Sequence, residues 1–136
     1  MRLAEPLPDW TLMMTTSPWQ FSATELAAAY REGTLRPSET LASVLARISD
    51  VEPTLNSFAT LDAAGARRAA AESDARFAAG APLGAFDGIP ITVKDNIPVA
   101  GLRCAWGSRL YLDDVPTKDE LPVARLRAQG AVILGK

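Results

Sequence analysis

An α/β fold is predicted by three observations. Helical and extended patterns alternate along the chain. Two short, almost wholly apolar runs, Ile89-Pro90-Ile91-Thr92-Val93 and Ala131-Val132-Ile133-Leu134, are rich in β-branched residues, as buried strands are. A strand, a loop, a helix and a strand close the sequence, an order that suggests a parallel or mixed sheet. Composition agrees: of 136 residues, 48% are apolar and 22% charged, which is ordinary for a globular domain and too apolar for a disordered tail. That length leaves room for a core.

The elements follow in order. Residues 1–19 carry Glu5, Asp9 and three prolines and have no compact apolar run, so they read as an irregular lead-in and not as a secretory signal. Residues 20–136 form the domain proper. Ser22 stands three residues before Glu25, the spacing of a capping box, and helix formers continue to Arg31 before Gly33. Ser38 opens a second helix, whose stripe is Leu41, Val44, Leu45 and Ile48, and Pro53 is expected to end it. The run 55–61 alternates apolar and polar residues, which predicts a strand. Asp62 can cap a third, alanine-rich helix over roughly 63–79. Residues 84–88 form a loop, 89–93 a buried strand with Pro90 near its start, and 95–118 a long loop. Asp119 is expected to cap a fourth helix over about 120–129, with Pro122 in its first turn and Gly130 after its end. A last buried strand covers 131–134. Three short strands and four helices barely cover one another, so these residues are expected to be part of a larger α/β domain.

Several chemistries are excluded within these residues. There is no histidine, which removes Ser-His-Asp and Cys-His catalysis and every histidine-ligated metal site. Cys104 is the single cysteine, so neither an internal disulfide nor a thiolate cluster can form, and a reduced, cytoplasmic setting follows as the expectation. A net charge of −2 gives no electrostatic reason to expect nucleic acid or anionic lipid as partner. No apolar stretch reaches the roughly 18–20 residues of a membrane span.

The segment Gly88–Asn96, GIPITVKDN, carries the most information. Lys94 stands at the carboxyl end of a buried strand, where ligands bind in open α/β sheets. An ordinary lysine, with a pKa of about 10.4, is charged at pH 7 and a poor base. Desolvation disfavours the ammonium and favours the neutral amine that a general base requires. The alternative reading is a lysine that leaves the strand and points into water. Alternation along an extended chain sends Asp95 to the opposite face from Lys94, and Asp95 and Asn96 are expected to fix the following turn.

Three pieces in order resemble the amidase signature family. They are GIPITVKDN at 88–96, the stretch from Gly101-Leu102 to Gly107-Ser108, and RLRAQGAVILGK at 125–136. LNSFATL followed by an alanine-rich helix is similar to that family's lead-in, and the resemblance spans roughly residues 20–136. It implies the N-terminal part of a layered α/β/α fold with a mixed sheet. It also implies amide hydrolysis or transfer by a Ser–cis-Ser–Lys triad in which Lys94 is the lysine. A small-molecule amide would be the substrate, without metal or organic cofactor, and homo-oligomerisation is left open. The amidotransferase A subunits share these motifs and are the alternative enzyme. A non-catalytic fragment or interaction module is the alternative outside catalysis.

Two departures accompany the resemblance. The family's Gly/Ser-rich segment with both catalytic serines has no counterpart here: Ser17, Ser22, Ser38, Ser43, Ser49, Ser57, Ser73 and Ser108 all lie outside a Gly-Ser-Ser-Gly context. The 136 residues alone are therefore expected to be inactive. Cys104-Ala105 also stand where the family often has threonines. Three further features read as ordinary structure. Gly130 to Lys136 matches the start of a phosphate-binding GxxxxGK motif, but its middle is a strand and its helix precedes it. Asp113-Asp114 read as solvated acids, and Cys104 as a buried or half-buried thiol. Trp10, Trp19 and Trp106 read as packing anchors, Trp106 within the loop near the site.

Overall fold

The computed structural model describes residues 16–136. The expected lead-in therefore falls largely outside the described residues, as does Trp10; Pro18–Gln20 form a short 3-10 helix. Among the described residues no helix is long and apolar enough to cross a membrane.

Helix α1 is Ala23–Glu32. The capping box forms as its spacing requires: Ser22 Oγ accepts from the Glu25 N–H, and Glu25 Oε2 accepts from the Ser22 N–H at 2.7 Å. Helix α2 is Pro37–Leu55. Pro53 does not end it. Proline forgoes one helix bond, to the carbonyl of the exposed Ser49, where water can serve instead, and the Asn56 N–H still closes the last turn on the Glu52 carbonyl at 2.8 Å. The Glu52 carboxylate then takes the Ser57 hydroxyl and the Phe58 N–H and fixes the exit. Helix α3 is Ala63–Ala78, with Asp62 Oδ1 accepting from the Gly65 N–H at 2.8 Å.

Strand β1 is Pro90–Thr92, helix α4 is Leu121–Ala128, and strand β2 is Val132–Gly135. Asp119 does not cap α4, which starts from Glu120. Its carboxylate is taken by the Ala100 N–H at 2.7 Å and by Arg127 Nε at 2.8 Å, partners that lie away from the helix start. The loop 95–118 is interrupted by a 3-10 turn, Arg109–Tyr111, and by an antiparallel bridge between Val99 and Leu102.

β1 and β2 form a two-stranded parallel sheet, and β2 takes an antiparallel bridge on its other edge. β1 runs parallel to β2, pairing Pro90 with Val132 and Ile91 with Ile133. On its other side β2 meets residues 60–62 antiparallel. Leu61 bridges Gly135, the Thr60 N–H donates to the Lys136 carbonyl at 3.0 Å, and the Lys136 N–H returns to the Thr60 carbonyl at 2.8 Å. The strand expected over 55–61 is thus much shorter: Leu55 completes α2, and only the end of the run reaches a partner.

Alternation along β2 splits the core into layers. Val132 and Leu134 pack with Leu41 and Leu45 of α2 and with Ala66 and Ala70 of α3. Ile133 packs on the other face with Val93, Val99 and Val123 of α4. Helices therefore cover both faces, as an α/β/α arrangement requires. The two alanines, both fully buried, let α3 lie close to the strand. A third cluster, Leu26, Tyr30 and Ile89, seats α1 beside the entry to β1. Before that entry, the buried Asp87 carboxylate accepts from Ser73 Oγ at 2.6 Å and from the Leu83 N–H at 2.7 Å.

Candidate active site

β1 and β2 are parallel, so their carboxyl ends open at the same edge of the sheet. A cleft of about 390 Å³ lies there. Residues 57–59 form one wall and Thr92 to Asp95 the other, with Lys136 at the end of β2 between them. This is the position at which open α/β sheets bind ligands.

Gly135 makes the approach of the first wall workable. A Cβ on Gly135 would collide with the Thr60 carbonyl oxygen and with Leu61 Cα. Any other residue would push 60–61 off β2 and displace 57–59 with it. This glycine, which also falls in the GxxxxGK pattern, is thus required by strand packing.

The sequence places Lys94 at the carboxyl end of a strand, and in the structure it lines the cleft beyond β1. Its surroundings differ from the partial desolvation that a strand end suggests: Lys94 is exposed, and among the described residues its amine has no carboxylate within ion-pair distance. It follows the buried Val93, whose N–H donates to the Gly135 carbonyl at 3.0 Å. A turn then begins, closed by the Ile97 N–H on the Lys94 carbonyl at 3.0 Å.

Asp95 serves this turn differently from the expectation. Its carboxylate faces Lys136, with Oδ1 at 3.7 Å from Nζ. Its carbonyl accepts from Cys104 Sγ at 3.0 Å. Cys104, fully buried, is therefore a packing thiol under the turn, as its type and context suggest. Trp106 is exposed and is not among the residues lining the cleft, and Trp19 is half exposed with Arg47 stacked over its ring at 5.0 Å. Neither is a buried anchor. Gly88, Gly101 and Gly107 all adopt positive φ in loops, the shaping role their type suggests.

Lys136 is the residue that sequence reasoning passes over. Its side chain is wholly buried, while Lys94 is exposed. The available signal is weak: an apolar strand runs into a lysine, a place from which such side chains ordinarily reach water. Here the walls close over it.

The Amidase family model matches residues 39–136. Among curated proteins, the chain is 41% identical over 116 residues to the glutamyl-tRNA(Gln) amidotransferase A subunit of Salinispora tropica, covering 85% of this chain and 24% of that protein. It is 36% identical over 115 residues to an acylamidase of Rhodococcus erythropolis, covering 85% of this chain and 24% of that protein. Among solved structures, native peptide amidase from Stenotrophomonas maltophilia superposes with a TM-score of 0.82 at 32% identity, over 89% of this chain and 25% of that one. The chain spans about a quarter of the length of the relatives it matches.

Proposed function

Starting from the premise that this chain belongs to the Amidase family, we propose that it carries the general base of an amide-cleaving site, and that the base is Lys94. One observation carries this reading: Lys94 lines a cleft at the carboxyl end of β1, on the segment GIPITVKDN by which the chain resembles the family. In that family's scheme a neutral lysine takes a proton from a bridging serine. That serine in turn activates the nucleophilic serine, the Ser-Lys version of triad logic. Backbone N–H groups stabilise the tetrahedral oxyanion. The substrate is a carboxylic amide, and the products are a carboxylate and ammonia or an amine. No cofactor takes part. In this reading Lys94 works with serines other than those in these 136 residues, which alone do not turn over.

A second reading is favoured by the relatives themselves, since the first five curated ones are amidotransferase A subunits. There the same base would release ammonia from a side-chain amide for transfer.

The test is made on the native product isolated from its source cells, with its intact mass measured. Release of ammonia or amine from carboxylic amides, abolished in Lys94→Ala, is the expected result. Preference for glutamine with dependence on partner subunits selects the second reading. A native product without amide cleavage overturns both. Turnover by the 136 residues alone that is lost in Lys94→Ala overturns the assignment of the nucleophile elsewhere.

A further inference from the structure

Three charged side chains line the cleft: Lys94, Asp95 and Lys136. Asp95 is thus the one carboxylate there, and it neighbours Lys94 in sequence. The turn that starts at Lys94 relaxes strict alternation, so no extended backbone holds the two side chains apart. An exposed lysine beside a carboxylate is free to pair with it, and pairing favours the ammonium. The structure shows a different pairing. The Asp95 carboxylate faces Lys136, with Oδ1 and Nζ 3.7 Å apart. Both atoms are shut off from solvent, and neither makes a hydrogen bond among the described residues. Their contact is charge on charge, in a setting where such attraction is stronger than in water. Substrate cannot reach either atom without opening the wall.

We propose that Lys136 is a positioning residue: its buried ammonium engages Asp95 and keeps that carboxylate from the adjacent Lys94, so that the Lys94 amine stands unpaired in the cleft. Lys136 acts through Asp95 and touches no reacting atom. The Cys104 thiol, hydrogen-bonded to the Asp95 carbonyl, holds the backbone from which the carboxylate turns away. This inference rests on reading Lys94 as the base, but its test does not depend on turnover.

The chain has three lysines, Lys94, Lys118 and Lys136, so trace acetylation with acetic anhydride can be read lysine by lysine. Only the neutral amine reacts, and the exposed Lys118 serves as the internal reference. At one fixed pH the ratio of Lys94 to Lys118 labelling is measured by mass spectrometry on the folded chain. Lys136→Met, which removes the charge at similar volume, is expected to lower the ratio about threefold, the size of an exposed ion pair. Lys136→Arg is expected to keep the wild-type ratio. Lys136→Met combined with Asp95→Asn is expected to restore it, which a merely structural role of Lys136 would not do. A folded Lys136→Met with an unchanged ratio overturns the proposal, as does a lowered ratio that the double variant leaves low. Should Lys136→Met lose its cooperative unfolding, Lys136→Arg and Asp95→Asn decide: both must keep the wild-type ratio, and a fall in either overturns it. If the labelling responds as stated while amide cleavage proves independent of Lys94, the pairing stands and the functional reading falls.

Discussion

Arg76 grips Asp87 with two hydrogen bonds, Nε to Oδ2 at 2.9 Å and Nη2 to Oδ1 at 2.7 Å. The carboxylate is fully buried and the guanidinium mostly so. Such planar two-point contacts are the strong form of ion pair. With Ser73 and the Leu83 N–H as further donors, the loop 84–88 is tied to α3, and β1 leaves from a fixed point.

Asp87→Asn is expected to destabilise the chain by about 3 kcal/mol, because Arg76 is left without its charge partner in a mostly buried place. Urea unfolding at pH 7 measures this. Burial alone would push the Asp87 carboxyl up, but the hydrogen bonds from Arg76, Ser73 and Leu83 outweigh it and hold the group below its ordinary 3.8. The folded state then binds fewer protons than the unfolded one just below that value. The stabilisation is complete above about pH 3.8 and is lost as pH falls through the folded value. Asp87→Asn is expected to flatten this acid limb of the urea midpoint.

Gly130→Ala is expected to damage the same node from the opposite side. Gly130 has φ +85°, and a Cβ there would lie 2.5 Å from Asp87 Cγ. The left-handed backbone alone costs roughly 1–2 kcal/mol for a residue with a Cβ. Displacing the Asp87 carboxylate adds to that, so the fall in the urea midpoint is expected to exceed that of an exposed Gly33→Ala, where nothing stands near the added carbon.

Burial pushes the Tyr30 phenol up to about 12, and its hydroxyl donates to the Gly88 carbonyl at 3.4 Å. The folded state therefore keeps a proton that the unfolded state gives up near 10. Stability is complete below about 10 and is lost as pH rises towards about 12. In Tyr111→Phe, where Tyr30 is the one remaining tyrosine, tyrosinate absorbance is expected to appear late and together with unfolding.

Lys94→Ala is expected to leave thermal stability within about 0.5 kcal/mol, since the side chain is exposed and has no carboxylate partner among the described residues. In the native product the same substitution is expected to lower amide turnover by about 10² or more, the range of a lost general base. Calorimetry and ammonia release separate the two effects.

Cys104 is expected to resist a thiol reagent in the folded chain and to react at once in urea. Its side chain is fully buried and donates to the Asp95 carbonyl. Fast reaction without denaturant would contradict the packing of the turn after Lys94.

Local chemistry made much of this fold legible. Ser22 with Glu25, and Asp62 with Gly65, satisfy helix N–H groups within one turn, so the residues alone specify them. Features set by distant partners were harder to read. Asp119 has the right type and place for a cap, yet Ala100 and Arg127 take its oxygens. The alternation over 55–61 signals a strand, but a strand lasts only as far as a neighbour offers hydrogen bonds, and that neighbour is β2. At the site, Lys94 was readable from its motif. The burial of Lys136 was not, because it depends on two walls that are far apart in sequence.

The central position of β2 also orders events in time. One cleft wall follows α2 and leads into residues 60–62, which are hydrogen-bonded along β2 and its end, and the other follows β1 and is hydrogen-bonded to β2 through Val93. A chain emerging from the ribosome can dock α2 on α3 early, since those contacts are close in sequence. The two walls have no common support until residues 132–136 have been synthesised and threaded between them. Until then, apolar residues of both helices face an unfilled slot. Apolar surface left open in that interval is the kind that aggregates.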